Sequence, residues 1–220
     1  RMYRLNRVIE QLQNHQVGGC ILFDPINIRY ATDSRNMSMF TMHELVRFVF
    51  ITAEGKVILF DYPKSEHLSN HLCTIDEIRN VTSWDFFSAN NFVDKNAKEW
   101  AKIIHDLMRE YSPGNNRLAI DISDPVGIQM LLKQFNVELL NAQKYIEVAR
   151  SIKSEDELIC IKASIETAEK GMRLMKEKLQ AGMTEEELWS YMHKTNIENG
   201  GEWFETRLLV SGLRTKHWLQ

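Results

Sequence analysis

The sequence predicts an α/β fold in two parts: a layered α/β domain over residues 1–148, then a helical hairpin leading into a strand over 149–220. Three observations carry this. Short apolar runs alternate with amphipathic stretches from Leu5 to Leu140, the pattern of strands covered by helices. After Ile146 the apolar residues change to steps of three and four, the period of a helix face. Hydrophobic residues make up 44% and charged residues 26% of the 220, enough apolar material for one large or two modest cores.

The elements follow in order. Leu5, Val8, Ile9 and Leu12 share one face of a helix that runs to His15, with Arg4, Arg7, Glu10 and Gln11 around it. Gly18 and Gly19 stop it, and Cys20 to Phe23 form a continuous apolar run suited to a strand buried on both faces. Asp24 then caps a short helical turn through Tyr30 that has Pro25 at its first position. Phe48 to Ile51 and Val57 to Phe60 flank a connection containing Gly55, which predicts a hairpin. A helix from about Asn91 to Tyr111 presents Trp100, Ile103, Ile104, Leu107 and Met108, and Pro113-Gly114 ends it. Leu118 to Ile122 is a strand, Pro125 opens a helix through Phe135, and Val137 to Leu140 is a further strand.

Ser154 and Glu157 form a capping box, in which each side chain reaches the other's free backbone N–H. Leu158, Ile161, Ile165, Ala168, Met172, Met175 and Leu179 then recur at helical spacing, up to Gly182. Thr184 and Glu187 make a second box, opening a helix that carries Leu188, Trp189 and Met192 toward Gly200-Gly201.

Charge and cysteine usage narrow the function classes. Lys and Arg total 27 against 30 Asp and Glu, a formal charge of -3, so the basic surface that a phosphate backbone requires is lacking and nucleic acid is not an expected partner. No apolar run approaches the ~20 residues of a bilayer-crossing helix. Cys20, Cys73 and Cys160 are odd in number and far apart, which fits thiols in a reducing compartment and a cytoplasmic home. The chain opens on Arg1 rather than methionine, so targeting information could lie upstream.

Several pairings have the spacing of a chemical site. His67 and His71 stand at i and i+4, the separation at which two imidazoles can grip one metal, but neither the glutamate of a zinc protease nor a third ligand accompanies them; a solvated helix face is the competing reading. Asp121 and Asp124 sit at a strand end, where two carboxylates can act as acid and base, although Asp124 before Pro125 is also a helix cap. Ser211-Gly212 lacks the elbow of a serine nucleophile, no phosphate-cradling glycine loop occurs, and the cysteines have no C-x-x-C spacing. Two stretches stand out: the polar and aromatic segment from Ile26 to Thr41, and Gly200 to Gln220, which gathers Trp203, Arg207, Arg214, His217 and Trp218 beside Glu202 and Glu205.

Those stretches carry a resemblance. Phe23-Asp24-Pro25-Ile26-Asn27-Ile28-Arg29-Tyr30-Ala31-Thr32-Asp33-Ser34, Arg150-Ser151-Ile152-Lys153-Ser154 with Asp156-Glu157, and Gly200-Gly201-Glu202-Trp203-Phe204-Glu205-Thr206-Arg207-Leu208-Leu209 resemble the creatinase, prolidase and aminopeptidase P superfamily. Within it the chain is most similar to the metal-dependent dimethylsulfoniopropionate lyases, over essentially its whole length. The first and last runs are specific, whereas the middle one is shared across the superfamily.

The resemblance implies a creatinase-type N-terminal domain followed by the first helices and strand of a pita-bread catalytic domain. It implies a homodimer, in which the N-terminal domain of one subunit closes over the other's active site. It also implies two divalent ions (Fe, Mn, Zn or Co), held by aspartates, a histidine and glutamates that lie downstream of these elements. No aspartate follows Asp156 in this sequence, so no catalytic residue and no metal ligand is assigned here. The substrate is either a sulfonium zwitterion, whose cation aromatic faces attract, or an Xaa-Pro peptide. A non-catalytic dimerisation or binding module that has lost the metal site is the third reading. The substrate-binding candidates are Tyr30 and Phe40, delivered from the partner subunit's loop, and further off Trp203 and Trp218; core packing is the alternative for Phe40 and Trp203. The chain departs from the lyase pattern at Phe40, where tryptophan is expected, at Glu44-Leu45 after His43, where an Asn-Pro pair is expected, and at Leu213, where proline is expected.

Overall fold

The computed structural model describes residues 1–122, 124–204 and 206–217. It forms two compact units, Arg1–Ile152 and Lys153–Gln220.

The first unit runs α1 (Met2–Asn14), β1 (Gly19–Leu22), α2 (Pro25–Thr32), α3 (Ser38–His43), β2 (Phe48–Thr52), β3 (Val57–Asp61), β4 (Glu77–Asn80), α4 (Phe86–Ala89), α5 (Val93–Tyr111), β5 (Arg117–Ile120), α6 (Pro125–Gln134), β6 (Glu138–Asn141) and α7 (Ala142–Ser151). Its six strands lie in the order β4-β3-β2-β1-β5-β6. The β1–β2 and β2–β3 pairs are antiparallel, and the pairs on either side of them are parallel.

The continuous apolar runs make sense once the sheet is seen to be covered twice, because successive side chains point to opposite faces. Cys20, Leu22, Val49, Ile51, Val57 and Leu59 join a core with residues of α1, α2 and α7. Their neighbours Ile21, Phe23, Phe48, Phe50, Ile58 and Phe60 join a second core with Trp100, Ile104 and Leu107 of α5 and Leu131 of α6. Gly19 is required by close approach: a Cβ there would come within 2.6 Å of Met108 Sδ and 2.7 Å of the Phe50 ring. The two Asp-Pro helix starts form as the sequence predicts, with Asp24 accepting from the N–H groups of Ile26 and Asn27, and Asp124 from those of Val126 and Gly127.

Four elements of this unit escape the sequence pattern: the short helices α3 and α4, the edge strand β4 and the closing helix α7. β4 is polar except for Ile78 and pairs in parallel with β3 at the sheet edge, so no apolar run announces it. In α7, Ala142, Tyr145, Ile146 and Ala149 make a buried helical stripe where the sequence reading placed a change of composition. This helix closes the unit: Arg7 Nε donates to the Ala149 carbonyl at 3.5 Å, and Arg150 Nη1 donates to Asn27 Oδ1 at 3.3 Å.

The second unit contains α8 (Glu155–Lys178) and α9 (Glu185–Glu198), each opened by the capping box that the sequence predicts. Gly171 lets the two helices meet, since a Cβ there would collide with the Met192 sulfur. The strand expected after Gly201 is a correction: among the described residues no ladder forms. The segment is instead tied to the first turn of α9 through two arginine side chains and the Ser211 backbone N–H. Arg207 Nη1 donates to Glu186 Oε1 at 2.7 Å, the Ser211 N–H donates to Glu185 Oε1 at 2.6 Å, and Arg214 also pairs with Glu185. A strand exists only where a neighbouring backbone takes its hydrogen bonds, and here the Ser211 N–H goes to a side chain instead, the Glu185 carboxylate.

Candidate active-site face

The surface that presents Phe40 is assembled from the end of α2, the loop after it and the open end of the β2–β3 hairpin. Asp33 ends α2 in a left-handed conformation, φ 69°, and pairs with Arg4 at 2.9 Å and Arg1 at 2.6 Å. Burial lifts the Asp33 carboxyl, but the two guanidiniums outweigh this and hold it below the usual carboxylate range. At the hairpin end Arg47 and Asp61 form a buried ion pair, Nε to Oδ2 2.9 Å. Asn36 Nδ2 donates to Asp61 Oδ1 at 3.0 Å, and Arg47 donates to the Ser34 hydroxyl. The loop is thereby fastened to the sheet where α3 begins.

Phe40, on α3, is 40% exposed. Its ring lies 6.5 Å from that of Tyr62, tilted by 52°. Burial pushes the Tyr62 hydroxyl up to about 12, with Asp61, Asp85 and Glu44 adding to the rise and Arg47 opposing it. The Glu44 carboxyl is raised by burial and by Asp85. Asp85 is itself held low: burial acts against it, but the Ser83 hydroxyl and the Ser88 N–H donate to its carboxylate. The Tyr62 hydroxyl thus faces three carboxylates, Asp61, Asp85 and Glu44, and one guanidinium, Arg47.

The other candidates fall in different settings. Tyr30 is buried in the first core, its hydroxyl donates to the Ala149 carbonyl at 2.9 Å, and the Arg4 guanidinium lies 5.9 Å from the ring centre. Its ring is thus occupied in joining α2 to α7. Trp203 belongs to the second unit, where it lines a cavity of about 500 Å³ with Cys160, Met192, Asn196 and Phe204. Trp218 lies outside the described residues. Tyr62 was not legible in the sequence: it follows the last residue of β3, and only the fold sets it beside Phe40.

The paired motifs resolve into structural roles. His67 and His71 are exposed, and only a three-residue 3₁₀ turn, Glu66–Leu68, forms there, so the i, i+4 relation of an α-helix does not arise. Asp124 caps α6 and also accepts from Trp84 Nε1 at 2.6 Å. Asp121 accepts from the N–H groups of Phe23 at 2.8 Å, Asp24 at 3.2 Å and Ile122 at 2.6 Å, and from Asn27 Nδ2 at 3.0 Å. Burial nonetheless leaves its carboxyl above the ordinary value. This carboxylate satisfies the backbone where β1 passes into α2. Cys20 is buried and Cys73 and Cys160 are exposed, all three as free thiols. Among the described residues no group of three or more His, Cys, Asp and Glu could hold a metal ion.

A six-stranded mixed sheet covered by helices on both faces, with a loop and short helix fastened to its hairpin end, makes this unit a layered α/β domain. Residues 4–152 match the family model described as Creatinase/Prolidase N-terminal domain, and the chain belongs to that family. Among curated proteins, dimethylsulfoniopropionate lyase DddP of Roseovarius nubinhibens is 34% identical over 225 residues, covering 100% of this chain and 50% of that protein. An uncharacterized peptidase of Staphylococcus aureus is 26% identical over 208 residues, covering 90% of this chain and 51% of its own length. Among solved structures, the prolidase from Pyrococcus horikoshii OT3 shares the fold with a TM-score of 0.64 at 20% identity, over 90% of this chain and 49% of that one. The prolidase from Pyrococcus furiosus does so with a TM-score of 0.66 at 14% identity, over 90% and 53%. The chain spans about half the length of the curated relatives it matches. No helix among the described residues is long and apolar enough to cross a membrane.

Proposed function

We propose that this chain is the N-terminal domain and the opening of the catalytic domain of a cytoplasmic, homodimeric enzyme that cleaves dimethylsulfoniopropionate. The observation that carries this reading is the 34% identity with a lyase of that substrate, which extends over the entire chain and not over the N-terminal domain alone. In the reaction a base takes the proton α to the carboxylate. The electrons of that C–H bond form the C=C bond of acrylate, and those of the C–S bond leave with sulfur as neutral dimethyl sulfide. The two divalent ions implied by the resemblance belong, on this reading, to protein outside these 220 residues, and the chain by itself is inactive. Its own contribution is to cover the partner subunit's site and to offer the sulfonium group the exposed ring of Phe40, by the attraction of a cation to an aromatic face.

A second reading is supported by the Staphylococcus aureus relative and the prolidase folds: hydrolysis of an Xaa-Pro peptide. The two differ in product. The full-length gene product, loaded with divalent metal, is expected to release dimethyl sulfide into the headspace from dimethylsulfoniopropionate and no proline from an Xaa-Pro dipeptide. Proline without dimethyl sulfide would replace the lyase reading with the peptidase one. Neither product, in a full-length protein that lacks the metal-binding aspartates, would leave the dimerisation or binding module.

A further inference from the structure

Arg47 precedes β2 and Asp61 ends β3, so the antiparallel register that sets Phe48 against Phe60 brings the two together at the hairpin's open end. Both side chains are only 1% exposed. A buried ion pair is retained at little cost only when its remaining donors and acceptors are used. Arg47 Nε and Asp61 Oδ2 face each other as an ion pair without a hydrogen bond, and the pair's other groups bind the loop ahead of α3: Asp61 Oδ1 accepts from Asn36, and Arg47 donates to Ser34. The same Asp61 oxygen accepts from the backbone N–H of Tyr62 at 2.8 Å. One carboxylate therefore fixes both strands of chain that carry the two rings. The fastening has strain to hold, because Met37, the residue before α3, adopts a positive φ of 39° that side chains disfavour.

We infer that Arg47 and Asp61 are positioning residues for an aromatic cation-binding face, and that Tyr62 is its second wall beside Phe40, the ligand group being an organic sulfonium or quaternary ammonium. The inference rests on the lyase reading for its substrate and on geometry for its parts. The two rings lie 6.5 Å apart, close to the ~6 Å reach at which one methylated cation is attracted to an aromatic ring, so a cation drawn to Phe40 also meets Tyr62. The carboxylates of Glu44 and Asp85 add negative potential around the Tyr62 hydroxyl. That hydroxyl is shielded from solvent and makes no hydrogen bond, so the residue's polar end is not engaged in holding a neighbouring segment.

The test has two arms. In the 220-residue chain, hydrogen exchange is followed at the amides of Thr41 and Glu44, which donate to the Met37 and Phe40 carbonyls at 3.0 and 3.1 Å. Asn36→Ala and Arg47→Lys should each speed exchange there by about 5- to 10-fold. Asn36→Ala should leave β2 protection unchanged. Unaltered exchange at Thr41 and Glu44 in both variants would overturn the positioning role.

In the full-length enzyme, calorimetry with trimethylglycine as the quaternary ammonium probe should give Tyr62→Leu an affinity about 2- to 30-fold weaker than wild type, with Tyr62→Phe retaining it. The KM for dimethylsulfoniopropionate should move with that affinity while kcat stays within about 2-fold. Equal affinities for Tyr62→Leu and wild type, or no binding by wild type, would remove Tyr62 as a wall. A wild-type enzyme that binds trimethylglycine through Tyr62 yet releases no dimethyl sulfide would refute the lyase reading and keep the cation face.

Discussion

The two units treat similar helical patterns in opposite ways. In the first, Val8 and Leu12 of α1 and Ile104 and Leu107 of α5 are at most 1% exposed, because a sheet lies against each stripe. In the second, α8 has an equally regular stripe, yet Leu158, Ile165, Met172 and Leu179 are 46, 54, 64 and 61% exposed. Only Gly171 of α8 and Met192 and Thr195 of α9 are buried. Capping boxes and backbone hydrogen bonds suffice to set a helix's start and course, whereas burial needs a second surface. The first unit is not uniformly sealed: Phe86, Phe87 and Phe92, in α4 and the turn after it, are 72, 82 and 61% exposed.

The sharpest way to break this contrast is to make the same deletion in both units. Ile104→Ala should cost about 2–5 kcal/mol through lost burial and a cavity. Ile165→Ala should stay within ~0.5 kcal/mol, since its side chain is largely in water already. Urea denaturation of each variant measures this, and equal losses would mean that α8 is covered in solution. The exposed stripe should also make the chain self-associate, read as a mass that rises with concentration in light scattering.

A smaller effect concerns how the second unit is held. Ser154→Ala and Thr184→Ala each remove a hydroxyl that accepts a helix N–H, at an expected cost of about 1 kcal/mol. Circular dichroism should show α8 and α9 fraying at lower temperature. Loss of the first unit's cooperative transition in these variants would show that the units do not stand on separate supports.

The smallest effect is a pH dependence in the first unit. The Asp33 carboxyl is held below its unfolded value, so its contribution is complete above about pH 4 and disappears as pH falls through the lowered folded value. Arg4→Met should therefore flatten the acid limb of the stability curve and leave stability at pH 7 to 8 with the same slope as wild type. A variant whose acid limb is as steep as the wild type's would assign that limb to other groups.

Much of the first unit could be read because its signals are local. Asp24-Pro25 and Asp124-Pro125 each place a cap and a proline where a helix starts, and the paired apolar runs around Gly55 specify a hairpin. β4 could not be read, since its order comes from hydrogen bonds to β3 and not from its own Glu77, Arg79 and Asn80. The candidate site was half legible. Phe40 stood out in a polar loop, but Tyr30 carried the same signal and is a core residue, while Tyr62, Arg47 and Asp61 looked like ordinary residues flanking or ending strands.

The capped helix starts at Pro25, Pro125, Glu155 and Glu185, the apolar strands and the family were determined by the sequence alone, because caps, apolar periods and motif runs act between residues near in the chain. Which face of each stripe found a partner was decided only by the tertiary structure. So were the meeting of Arg47 with Asp61 and the pairing of the Phe40 and Tyr62 rings. Burial and ion pairing depend on what lies across a gap in space, and the sheet register, which no local pattern encodes, sets that distance.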